Sequence, residues 1–434
     1  MAERMKPSGI DWIGDIPASW KRSKVKFCFS LVNGSTPESS DYDCWDGDIK
    51  WITPADMSDT GTISHGERLI TKYGYNSCGT TLLPIGSIVI SSRAPIGKIN
   101  ITTAELCTNQ GCKSLIRTGD NRYFYYLFLA GQHELSLLGR GTTFLELSTY
   151  DLNGFGLVIP AEDEQKAIAD FLDKECAQID SIAADLEKQI ALLQQYKKSL
   201  ITETVTKGLD KSVPMKDSGN PIIGSINYWY ATKKLKYIVA TPITDGPHET
   251  PVLVDDGIPF LSAESVKNGI LDFEYKRGYI SESDHKFFCK KIKPQKNDVF
   301  IVKSGATTGN VGIVTVDQEF SIWSPLALIR CDDKTVLQKF IYYCVSSNYF
   351  KHEIEQAWSY GTQQNIGMGV VENLTVVIPP VDEQKKIVHY LDDVLASMDK
   401  MIIDKTKQLE IIQQHKKSLI YEYVTGKKRV KEVR

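Results

Sequence analysis

Two stretches of the chain carry the same long apolar rhythm. From Ile168 the steps alternate between four and three, through Leu172, Glu175, Ile179, Ile182, Leu186, Gln189, Leu193, Tyr196 and Leu200. From Ile387 they pass through Leu391, Val394, Met398, Met401, Lys405, Gln408, Ile412, His415 and Leu419. This spacing is that of a coiled-coil seam and predicts two long helices. Pro160 and Pro379 keep each helix from starting earlier. Asp163-Glu164 and Asp382-Glu383 suit the positive N-terminal ends, and Lys197-Lys198 and Lys416-Lys417 lie towards the C-terminal ends. About 44 residues at 1.5 Å each make rods of roughly 65 Å. Two such helices in one chain pack most simply on each other, antiparallel about a two-fold axis. Gln189 and Gln408 sit at equivalent steps and read as register-setting or edge residues.

Elsewhere the pattern changes to short β-branched runs broken by Gly, Pro, Asn and Asp. Strands are predicted at 49–52, 87–90, 98–101 and 115–117, and again at 258–261, 298–302, 312–316 and 326–329. A helix is expected near 122–135 and another near 335–356. The two halves are copies. Residues 158–206 align with 377–425 without a gap at an offset of 219, and about half of the positions are identical. Upstream, Met5-Lys6 and Ile13-Gly14-Asp15-Ile16 recur as Met215-Lys216 and Ile223-Gly224-Ser225-Ile226 at an offset of 210, each followed by a tryptophan, Trp20 and Trp229. The expected division is a compact α/β domain at 1–157, a helical region at 158–210, a second α/β domain at 211–376 and a second helical region at 377–434.

Composition is that of an ordinary globular chain, 42% hydrophobic and 24% charged, with no apolar run long enough to cross a membrane. The start carries no secretory pattern, so the expected location is the cytoplasm. A net charge of -3 argues against a strongly basic nucleic-acid binder and leaves only local patches for that role. Nine cysteines without a C-x-x-C read as reduced, packed thiols.

Catalytic motifs are not found. Gly305-Ala306-Thr307-Thr308-Gly309-Asn310 lacks the G-K-[ST] ending of a phosphate loop. His352-Glu353 is not part of H-E-x-x-H, and no G-x-S-x-G occurs. Asp163-Glu164 with Lys166, and Asp382-Glu383 with Lys385, resemble a nuclease cluster but open the helices, where acids belong for dipole reasons. Val376-Val377-Ile378-Pro379-Pro380 has no Asn of the kind a base methyltransferase places before its prolines.

What remains is polar loops at matching places. Ser92, Arg93 and Lys98 lie in a loop after one predicted strand, and Lys303, Ser304, Thr307, Thr308 and Asn310 lie in its counterpart. Later loops carry Arg140, Thr142 and Thr143, then Thr362, Gln363, Gln364 and Asn365. Short side chains and glycines let backbone approach a surface. Arg and Lys suit guanine or phosphate, and Asn and Gln suit adenine. A non-catalytic protein-binding scaffold is the alternative, though such a patch more commonly carries aromatics.

The sequence resembles the specificity subunit of a type I restriction-modification enzyme. Residues 8–17 with Trp20 resemble the family's opening. Asp245-Gly246-Pro247-His248 with Thr250-Pro251, Gly257-Ile258-Pro259-Phe260-Leu261, residues 303–309, residues 361–367, and Ile378-Pro379-Pro380 with Glu383-Gln384 complete the pattern in order. The first half departs from it at 92–98 and 141–146. The resemblance implies an α/β (α+β) fold of two globular target recognition domains, separated by two long helices that form an antiparallel coiled coil, in a pseudo-two-fold tandem duplication. It implies a bipartite, asymmetric double-stranded DNA target, each domain reading one half, with His248 joining the loop residues above as a DNA contact. It further implies docking of two methyltransferase subunits on the helices and assembly with two restriction subunits. S-adenosylmethionine, ATP and Mg²⁺ would belong to those partners, with no cofactor, metal or catalytic residue in this chain. Methylation-only and fused methylase-nuclease systems share this subunit design.

Overall fold

The computed structural model describes residues 4–93, 95–140, 145–357 and 365–430. The chain forms two compact units, Met1–Leu186 with Lys407–Arg434, and Glu187–Thr406. Each holds one globular domain, the start of one long helix and the end of the other.

The first unit is built on a five-stranded sheet in the order Ser30–Asn33, Cys112–Ile116, Ile88–Ser91, Ile99–Thr102, Thr60–Ile63, the last two parallel and the rest antiparallel. A three-stranded sheet places Trp45–Ile52 between Arg68–Ile70 and the parallel Cys107–Thr108. The second unit repeats both plans. Its larger sheet runs Thr244–Asp245, Leu326–Ile329, Val299–Val302, Val311–Ile313, Ile270–Leu271, with Val266–Lys267 added at the edge. In its smaller sheet Ile258–Leu261 lies between Gly278–Ile280 and Ser321–Ile322. The central strands Ile88–Ser91 and Val299–Val302 are buried at every position, which explains their unbroken apolar or small-residue character.

Each predicted short helix is in fact a pair. Arg122–Ala130 and Gln132–Leu137 break at Gly131, where a Cβ would press on Phe155 and Trp12. Gln338–Val345 and Asn348–Gln356 break at Ser347, whose hydroxyl caps the second helix by accepting from Phe350 N. The tryptophan equivalence also changes. Trp20 N donates to Pro17 O, and the matching bond in the second unit is from Tyr230 N to Asn227 O. Tyr230 is 2% exposed, as befits a counterpart of buried Trp20, whereas Trp229 is 69% exposed. All nine cysteines are free thiols, and burial pushes Cys107 up to about 11 and Cys112 up to about 12.

The long helices run Glu162–Lys207 and Val381–Val424, 46 and 44 residues, about 65–70 Å each. Inside each unit the two helices are antiparallel. Lys416 Nζ lies 2.6 Å from Asp180 Oδ1 in the first unit, and Lys197 pairs with Asp399 in the second. These bridges are copies of each other at the offset of 219.

The buried track differs from the predicted seam by one residue at every other step. Leu172, Ile179, Leu186, Leu193 and Leu200 keep their places. Cys176, Ala183, Ile190 and Lys197 stand between them in place of Glu175, Ile182, Gln189 and Tyr196. The second helix repeats this with Leu395, Ile402, Leu409 and Lys416. A row of leucines can be completed on either flank to give four-three spacing. The flank with Leu395, Ile402 and Leu409 is the more apolar and turns inward. Ile182 and Tyr196 therefore face outward, and Gln189 is an exposed edge residue whose Oε1 accepts from Lys405 Nζ.

Both helices anchor in their domain's core. Ile168, Leu172, Ile420 and Val424 pack into the first unit, and Ile387, Leu391, Ile201 and Val205 fill the same places in the second. Gln165 and Gln384 are buried behind the prolines, each donating from Nε2 to the preceding Pro160 or Pro379 carbonyl at 2.9 Å.

Candidate nucleic-acid interface

In each unit, turns from separate parts of the chain are tied to the same end of the larger sheet. The loop that leaves Ile88–Ser91 closes with Gly97 N donating to Ser91 O, and the loop that leaves Val299–Val302 closes with Gly309 N donating to Val302 O. Gly97 and Gly309 have φ of +95° and +87°, which glycine adopts without strain. Ser92 N donates to Gly111 O and Lys303 N to Pro325 O, both at 2.8 Å. Ser92 O then accepts from Leu147 N at 2.8 Å, and Lys303 O from Ile366 N at 2.7 Å. Arg93 bridges Glu146 and Ser304 bridges Asn365 as isolated strand pairs. A further turn joins on each side. Asn33-Gly34 stands beside Thr108 and Asn109, and Asp245-Gly246 beside Ile322 and Trp323. A side chain at either glycine would run into a neighbouring backbone carbonyl.

The side chains differ between the units. In the second, the Asp245 side chain is 8% exposed and meets two lysine ammonium groups and a histidine ring. Lys291 Nζ donates to Oδ1 at 2.7 Å, Lys303 Nζ lies 2.8 Å from Oδ2, and His248 Nε2 lies 3.2 Å from Oδ2. Burial opposes ionisation of Asp245, but the two lysine hydrogen bonds outweigh it and hold the carboxyl below its ordinary value. In the first unit the same sheet position is Asn33. Its Oδ1 accepts from Lys113 Nζ at 2.9 Å, and Lys113 Nζ also lies 3.2 Å from Thr149 Oγ1. Burial lowers the pKa of Lys113, opposed in part by the charge of Glu146.

The sequence-predicted residues divide clearly. Arg93, Arg140, His248, Thr307, Asn310 and Asn365 are exposed on these loops, and Ser304 is half-buried. Arg93 Nε is 3.4 Å from Glu146 Oε2, and Arg140 Nη2 is 3.1 Å from Asp151 Oδ1. Other residues face inward. Ser92 is fully buried and its hydroxyl has no hydrogen-bond partner among the described residues. Lys98 directs its ammonium to Pro54 O and Met57 O, at 3.0 and 2.8 Å. Thr308 is buried, with its hydroxyl donating to Gly305 O. Thr142, Thr143, Thr362, Gln363 and Gln364 lie outside the described residues. The expectation of side-chain contact is therefore revised for Ser92, Lys98 and Thr308, which shape the loops from below. Sequence reasoning missed Asn33 and Lys113, and offered Lys291 only as part of the basic run at 290–293. The available signal was only that a lysine stands inside an otherwise apolar strand.

The motifs set aside as non-catalytic have structural tasks. Glu164 accepts from Trp20 Nε1 and pairs with Arg429. Glu353 is buried and accepts from Thr375 N and Asn220 Nδ2. A cleft of about 630 Å³ in the first unit is lined by Tyr125, Tyr126 and Asp173, but its charges pair internally, Arg122 with Asp120, Asp170 and Asp173, and Asp180 with Lys416. Among the described residues no group of three His, Cys, Asp or Glu side chains could hold a metal ion.

A family profile described as the type I restriction modification DNA specificity domain matches residues 17–192 and 251–411. The chain belongs to this specificity-domain family. The family is one of DNA specificity rather than catalysis, and the duplicated profile falls on the duplicated units. Among relatives, the MjaIX specificity subunit of Methanocaldococcus jannaschii is 26% identical over 97% of this chain and 96% of its own length. The EcoBI specificity subunit of Escherichia coli is 25% identical over 90% and 82%. A chain solved in work on complex assembly and conformational transition of the type I R-M system has the same fold, with a TM-score of 0.69 at 13% identity, covering 94% of this chain and 98% of that one. The HsdS subunit from Thermoanaerobacter tengcongensis gives 0.50 at 13% identity, over 95% and 98%. Among specificity-domain proteins, this one thus carries a mixed α/β domain in each half and an antiparallel helix pair in each unit. No helix among the described residues is long and apolar enough to cross a membrane.

Proposed function

We propose that each unit reads one half of a bipartite, asymmetric site on double-stranded DNA, and that the chain directs adenine methylation and restriction by partner subunits to that site in the cytoplasm. The observation that carries this is the pair of loop clusters. They occupy the same place on two copies of one scaffold and present different polar side chains. That arrangement suits two recognition surfaces of unlike sequence preference. Arg93 and Arg140 are the exposed candidates in the first unit, and His248, Thr307, Asn310 and Asn365 in the second.

The long helices set the spacing of the half-sites and dock two methyltransferase subunits in this reading. Their outward faces support it. Ile182 and Leu192 are exposed on the first helix, and Met401 and Ile411 are exposed at the same repeat positions on the second. Two copies of one apolar pattern suit two copies of one partner. Two restriction subunits complete the restricting form. S-adenosylmethionine, ATP and Mg²⁺ are assigned to the partners, which also supply part of the phosphate contact that a chain of net charge -3 lacks.

Competition binding by the assembled methyltransferase complex tests the reading. Arg93→Ala is expected to weaken discrimination at one half-site only, and Asn310→Ala at the other, each by about 1–3 kcal/mol. Equal losses at both halves for each variant would contradict it.

A further inference from the structure

We propose that Asp245 and Lys303 form a positioning pair for the second unit's recognition loops, and that Lys303 acts through this pair and not by neutralising a DNA phosphate. The proposal rests on the reading of the units as half-site readers. A lysine that neutralises phosphate keeps its ammonium in solvent. Lys303 does the opposite: its side chain is 11% exposed, and its ammonium lies against a carboxylate that is itself 8% exposed.

The backbone of the same residue is a crossing point. Lys303 N is bonded to Pro325 O and Lys303 O to Ile366 N, so the loop at 303–310, the turn at 323–325 and the segment at 365–366 meet there. Asp245 adds the turn at 245–248 to this crossing. Lys291 joins from another element, donating to Asp245 Oδ1 and to Gly246 O at 3.2 Å. The exposed groups around this crossing are His248, Lys291, Thr307, Asn310 and Asn365. One buried pair thus holds the backbone from which the exposed side chains project.

The first unit supports the assignment by reconstruction. Asn33 pairs with Lys113 across the sheet as Asp245 pairs with Ala327. There the tie is made by Lys113 from the neighbouring strand, reaching Asn33 and Thr149. The position of the polar tie is retained while its chemistry is exchanged. A tie serving one unit's loops should affect one half-site.

The test uses the complete methyltransferase complex and duplexes carrying the split motif that the complex methylates, with single-base changes in either half. Lys303→Met is expected to lower discrimination at one half-site about tenfold, leave the other unchanged, and leave the salt dependence of binding at the wild-type slope. Asp245→Asn is expected to do the same, and the double variant to be no worse than either single one. Should Asp245→Asn not fold, Lys303→Met alone decides. A salt slope reduced by about one with discrimination intact would make Lys303 a phosphate contact and overturn the proposal. So would losses shared by both half-sites, or wild-type discrimination in both variants. A wild-type complex with no split-site discrimination would take down the functional reading as well.

Discussion

Lys113 shows how little of the candidate site a linear pattern reveals. It stands in the buried strand Cys112–Ile116, between positions that pack into the core, and its ammonium is held by an amide oxygen and a hydroxyl. Its pKa is lowered by burial, so over an alkaline window the unfolded chain binds more protons at this residue than the folded one. Stability from this residue therefore rises with pH, until the unfolded lysine also titrates near about 10.4. Relative to Lys113→Met, which cannot titrate, the wild type should gain stability in urea denaturation as the pH rises towards the unfolded lysine value of about 10.4; a relative loss would refute the assignment. At this scale the sequence located the loops but not the facing of their side chains. Arg93 and Asn310 point outward while Ser92 and Lys98 point inward. The difference depends on backbone carbonyls at Pro54 and Met57, more than forty residues away from Lys98.

Element by element, the sequence is more legible. The four-three rhythm gave both long helices, and the leucine row gave half of the seam. The other half of the predicted seam lies on the wrong flank, because Ile182 and Tyr196 are apolar enough to fit and Ala183 and Lys197 are not obvious core residues. Small Ala183 and the stem of Lys197 nevertheless line the inward face, with the Lys197 ammonium reaching Asp399. This rotation has a direct energetic consequence. Leu186→Ala should cost about 2–5 kcal/mol, and Leu192→Ala, on the outward face, less than about 0.5 kcal/mol. Chemical denaturation of the two variants measures it, and equal costs would contradict the inward track described for the helices.

For the whole molecule, the duplication was the decisive legible feature. An offset of 219 through the helices foretold equivalent cores, and Ile168 with Ile387 and Val205 with Val424 fill them. The sheet orders were not legible, since Asn33 pairs with Lys113, and Ile52 with Thr108 in a parallel ladder, across intervening turns and strands. Net acidity argued mildly against a DNA role, but it averages over surfaces on which local charge is arranged quite differently, as around Asp245. The measurement that bears most directly on the account is a genome-wide map of adenine methylation in the native host, with and without this gene. Methylation is expected to vanish from one motif made of two unlike halves separated by an unspecified spacer. Methylation that persists unchanged, or is lost from a single unsplit motif, would contradict it.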